Sequence, residues 1–93
     1  MLVAACQVEL FLPECHSLKE KRYVLESLKT RIRQKFNVSI AEVQAQDKWQ
    51  SSVLGVSMVA NEAKILSATF NKILNLIEKD GRTEIVDQIF ELV

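Results

Sequence analysis

The residues best equipped to do chemistry are cations, and they are concentrated in one stretch. Residues 17–36, SLKEKRYVLESLKTRIRQKF, hold seven of the twelve Lys and Arg (Lys19, Lys21, Arg22, Lys29, Arg31, Arg33, Lys35) against two acids, Glu20 and Glu26. The stretch is +5, so the rest of this neutral chain is −5. Such a local excess attracts an anionic partner although the overall charge gives no hint of one. Lys19, Arg22, Lys29 and Arg33 recur at helical spacing on one line, suited to meeting phosphates without reading bases. The same spacing also describes a solvated helix face with Arg22–Glu26 and Glu26–Lys29 pairs, each worth only about 0.2–0.5 kcal/mol.

Nucleophilic and metal chemistry have little to draw on. His16 is the single histidine and follows Cys15 directly; adjacent side chains diverge, so no nucleophile–base pair and no catalytic residue is expected. A following helix N-terminus is expected to lower the Cys15 thiol pKa somewhat, making it modestly reactive. Cys6, Cys15 and His16 lack the C-x-x-C spacing and second ligand pair of a metal site. With only Gly55 and Gly81, phosphate-loop and dinucleotide fingerprints are excluded, and no cofactor is expected. Gly55 within a strand suggests a close neighbour, Trp49 or a helix. Trp49 itself, in a polar turn, either caps an end of the core or is a contact residue of the kind enriched at binding hot spots.

Periodicity supplies the elements that must position these residues. Leu2, Ala4, Cys6, Val8, Leu10 and Leu12 alternate with Val3, Ala5, Gln7, Glu9 and Phe11, a strand over about 1–12 that Pro13 ends. Ser17 and Glu20 form a capping box for a helix over about 18–36, with Leu18, Val24, Leu25, Leu28, Ile32 and Phe36 as its apolar stripe. Strands over about 38–46 and 51–60 flank a short turn, which predicts an antiparallel hairpin. Asn61 is a plausible N-cap for a helix over about 62–79, Gly81 its stop, and a last strand covers about 83–93.

The order β-α-β-β-α-β with right-handed crossovers predicts a single domain, residues 1–93. It is an α+β, ferredoxin-like sandwich of a four-stranded antiparallel sheet with two helices on one face. In that arrangement strands one and three are central, and they are the most apolar. Strands two and four, interrupted by Glu42, Gln44, Asp87 and Glu91, read as edges. Two helices cover one sheet face only, so the other leaves apolar side chains exposed, and a homodimer through that face is expected, with Phe11 and Phe90 in its interface. RNA-recognition modules share the fold, but the third strand, SVLGVSMVA, lacks the aromatics that stack bases.

Composition agrees with an ordinary globular domain, 48% hydrophobic and 26% charged, of a size that buries roughly two-thirds of its unfolded surface. No apolar run reaches the roughly 20 residues that cross a bilayer. Two cysteines without a disulfide pattern point to a reducing cytoplasm.

The run SLKEKRYVLESLKTRIRQKFNVSIAEV followed by DKWQSSVLGVSMVAN resembles the bacterial YlxP-like family of small uncharacterised proteins. The resemblance covers residues 1–93 and is most specific in LKEKR (18–22), KFNVS (35–39), WQ (49–50) and LGV (54–56). It implies a ferredoxin-like sandwich. Genes of this family commonly sit among translation and ribosome-maturation genes, which implies a role beside RNA or the ribosome and carries over no catalytic residue. Two functions follow as expectations. One is a non-enzymatic accessory protein contacting RNA through Lys19, Arg22, Lys29 and Arg33 with Trp49. The other is a dimeric protein-interaction or small-ligand regulatory module using the open sheet face.

Overall fold

In a computed structural model describing residues 1–93, the chain runs β1 (Leu2–Phe11), α1 (Leu18–Lys35), β2 (Ser39–Gln44), β3 (Ser51–Ala60), α2 (Ala63–Asp80) and β4 (Glu84–Leu92). The sheet order is β2-β3-β1-β4 with every neighbouring pair antiparallel. This is the ferredoxin-like sandwich, with the two apolar strands central. No helix is long and apolar enough to cross a membrane.

Alternation along β1 decides which sheet face the helices cover. Ala4, Cys6, Val8 and Leu10 are buried, while Ala5, Gln7, Glu9 and Phe11 are exposed. The covered face meets Leu25, Leu28 and Ile32 of α1 and Leu66, Phe70, Ile73 and Ile77 of α2 in one continuous core. Each large aliphatic sealed there contributes about 1.5–3 kcal/mol relative to exposure.

Local signals account for two of the four helix ends. Ser17 Oγ accepts from the Glu20 amide at 3.1 Å. Glu20 returns its carboxylate one residue further back than a standard capping box, to the His16 amide at 2.7 Å. Gly81, at φ +79°, supplies the left-handed stop of α2. Asn61 is not the cap of that helix. Glu62 holds the position without a side-chain hydrogen bond.

The β1–β3 ladder is unbroken over ten pairs, from Leu2↔Ala60 to Phe11↔Ser51. Both edge strands carry a bulge, between Glu42 and Gln44 on β2 and opposite Glu9/Leu10 on β4. The β2 bulge leaves Val43 unpaired and lays it over Gly55, where an added Cβ would stand 2.8 Å from Val43 Cγ1. The close neighbour of Gly55 is therefore an adjacent strand, not Trp49 or a helix. Phe90 also departs from its expected place. It pairs with Cys6, packs against the core and meets Phe70 with ring centroids 5.9 Å apart. It belongs to the covered face, so of the two phenylalanines only Phe11 stands on the open one.

Candidate functional site

The capped start of α1 sets the phase of its cations, and the fold then gives them different roles. Lys21 falls in the buried stripe with Leu25, Leu28 and Ile32. Its ammonium lies 2.9 Å from Glu42 Oε2 and donates to the carbonyls of Ala45 at 2.7 Å and Ser51 at 3.1 Å. Glu42 Oε2 also accepts from Ser52 Oγ at 2.7 Å. The partnered ammonium and carboxylate make this burial tolerable. Ala45 holds a left-handed backbone, φ +62°, uncommon for a residue with a Cβ. Lys21 is thus a clamp between α1 and the β2–β3 turn, and its place in the 21-25-28-32 spacing of the stripe was the available signal.

The predicted basic line is present but unequal along its length. Lys19 and Arg22 are exposed and have no ion pair. Lys29 pairs with Glu26 at 2.7 Å, and that hydrogen bond holds the Glu26 carboxyl below its ordinary pKa. Arg33 donates from Nη2 to the Ile40 carbonyl at 3.0 Å, tying α1 to the edge strand while keeping its charge. Trp49 is 55% exposed and does not cap the core. Its neighbour Gln50 does the tying there, donating to the carbonyls of Pro13 and Cys15 at 3.2 and 3.1 Å. Because Lys21 holds the turn against the start of α1, Trp49 and Lys48 share an end of the molecule with Lys19 and Arg22.

The second helix adds cations that sequence reasoning passed over. Arg31 and Lys35 of α1 and Lys72 and Lys79 of α2 line a groove of about 330 Å³ between the helices, with Asn75 and no carboxylate in its lining. Lys72 and Lys79 stand seven residues apart, two helical turns, which was the available signal. Arg31 alone of the four is ion-paired, to Asp80 at 2.7 Å.

Taken together, charge is segregated by layer. The two helices hold ten of the twelve Lys and Arg and four acids, a net +6. The four strands hold five acids (Glu9, Glu42, Glu84, Asp87, Glu91) and no Lys or Arg.

A family model described as a protein of unknown function (DUF503) matches residues 3–89. The chain belongs to this family. It is also 34% identical over 77 residues to the "Uncharacterized protein YlxP" of Bacillus subtilis (strain 168), covering 83% of this chain and 84% of that relative. The stretches through which this DUF503 chain resembles the YlxP-like proteins now have structural roles. LKEKR supplies the Glu20 cap and the Lys21 clamp, WQ the Gln50 tie, and LGV the Gly55 floor beneath Val43.

Cys15 does not have the lowered thiol pKa expected of it. Cys15 is buried, and burial, reinforced by the Glu20 carboxylate, raises its thiol pKa above the ordinary value against the opposing pull of Lys21 and Arg82. Helix proximity loses to desolvation there. Burial pushes the Cys6 thiol up to about 11. No three His, Cys, Asp or Glu side chains are arranged so that they could hold a metal ion.

Proposed function

We propose that this DUF503 protein is a non-enzymatic, cytoplasmic accessory protein that contacts RNA or a ribonucleoprotein, the ribosome foremost, through its helix layer. The observation that carries the reading is the segregation of charge. A phosphate backbone is attracted to a layer of net +6 and repelled by a sheet whose strands hold only acids. The open sheet face, which other modules of this fold use for bases, is therefore unsuited to RNA here. Lys19, Arg22 and Lys35 carry charges not spent on internal ion pairs, and the groove adds Lys72 and Lys79. Exposed Trp49 offers a stacking face for an unpaired base at the Lys19–Arg22 end. This arrangement holds phosphates and positions the protein without reading sequence.

The test is retention of ribosomal RNA on immobilised protein across a salt series. Wild type is compared with Lys19→Glu/Arg22→Glu/Lys35→Glu, which alters no side chain found in an internal ion pair. Retention at low salt is expected to fall steeply with added salt and to be lost in the variant, each lost phosphate contact removing about 0.7–0.9 from the log–log salt slope. Equal retention by both proteins, or retention by neither, rejects the reading.

A further inference from the structure

The open face of the sheet has no occupant in the RNA reading, and its chemistry is specific. At its centre the small residues Ala5, Ala41, Gly55 and Ser57 floor a trough of about 410 Å³, bordered by Val43 and Ile89. Val43, Val59 and Ile89 are each more than two-fifths exposed, an apolar surface of the kind that marks a contact. The bulge that lifts Val43 over Gly55 makes one wall, and Glu91 stands at the other. Beside the trough, Glu9 pairs across the β1–β4 ladder with Asp87, and both line an adjoining hollow with Gln7 and Ile89.

We infer that this face docks a lysine- or arginine-rich segment of a protein partner. Lys and Arg side chains combine an apolar stem with a cationic head. The stems suit the valine and alanine floor, and the heads reach Glu9, Asp87 and Glu91 at the rim. A second copy fits less well. The strands contain no Lys or Arg, so pairing two such faces would take carboxylates out of water with no strand cation opposite them. RNA is repelled from the face for the same reason. The helix layer and the sheet would then engage opposite charges on opposite sides, as a protein seated between RNA and a basic protein segment requires. The docking inference does not depend on the RNA reading, because its probe is a peptide.

The experiment is fluorescence anisotropy of a labelled oligo-arginine peptide, with thermal melting to confirm that each variant folds. Glu9→Gln/Asp87→Asn/Glu91→Gln and, separately, Ser57→Arg are each expected to weaken binding at least about tenfold. A charge-matched control off the face, Glu14→Gln/Glu62→Gln/Glu78→Gln, is expected to bind as wild type does. Equal weakening by the face triple and the control would show attraction to net charge alone and overturn the inference, as would unchanged affinity in both face variants. A wild-type dimer at micromolar concentration that Ser57→Arg dissociates would make the occupant a second copy, which also overturns it. RNA retention tests the helix layer alone: if wild type retains no RNA while peptide docking is intact, only the proposed function is rejected.

Discussion

The ammonium of Lys21 stands 2.9 Å from Glu42 Oε2, with the lysine side chain fully sealed from solvent. One of the seven α1 cations is therefore a structural part, joining the helix to the edge strand and to the turn that carries Trp49. Its burial also separates two questions a charge count merges: which cations hold the fold, and which remain for a partner.

Breaking that pair is expected to be costly. Lys21→Met leaves Glu42 beside the core without its cation and should destabilise the protein by about 3–5 kcal/mol. Lys21→Met/Glu42→Gln, which removes both charges, should recover a substantial part of the loss. Urea unfolding midpoints at constant slope measure both. An exposed-lysine loss, under about 0.5 kcal/mol for Lys21→Met, would contradict the clamp.

Gly55 is expected to be intolerant for a steric reason. Its backbone is not left-handed, so Ala meets no conformational penalty there, but the new Cβ would lie 2.8 Å from Val43 Cγ1. Gly55→Ala should cost about 1–3 kcal/mol through overpacking. Val43→Ala in the same chain should relieve most of it. A double-mutant cycle reads that coupling, and additive effects would refute it.

Asp80 confers a pH dependence. Hydrogen bonds from Arg82, foremost, with the Arg82 and Arg31 charges, hold its carboxyl below the ordinary value against the opposing effect of burial. A depressed folded-state pKa contributes stability that is fully present above the unfolded value of about 3.9 and is lost as pH falls through the folded value. Asp80→Asn should therefore destabilise the protein at neutral pH by about 1–3 kcal/mol. The gap to wild type should close as acid titrates through the region below about pH 4. Chemical unfolding at a series of pH values follows this, and a gap independent of pH would exclude the linkage.

Both thiols should be silent in the folded protein. Cys6 and Cys15 are buried, with pKa values raised by burial. Reaction with a disulfide reagent at pH 8 should be slow in buffer and rapid for both in denaturant. Fast native labelling of one thiol would show that Cys15 is accessible after all.

Much of this was legible in the order of residues. Alternation in β1 and β3, the three-and-four spacing of both helices, Ser17 with Glu20 and the stop at Gly81 are local signals, read by the chain as short-range sterics and hydrogen bonds. They specified the element order, and the element order specified the sandwich with its apolar strands central. The concentration of charge on α1 was equally plain.

What the tertiary structure alone decided depends on long-range pairing. Phe90 and Phe11 both sit in alternating strands. Alternation along β1 leaves Phe11 outside, but only the register of β4 against β1, shifted by its bulge, turns Phe90 to Phe70. Helical spacing puts Lys21 on the apolar stripe, but its partners, Glu42 and the Ala45 carbonyl, come to it from more than twenty residues away. Likewise, Lys72 and Lys79 join Arg31 and Lys35 only because the two helices pack side by side. Residue types and periods are properties of a segment. Which side chain faces which is a property of packing, where burial and charge pairing are settled between elements far apart in sequence.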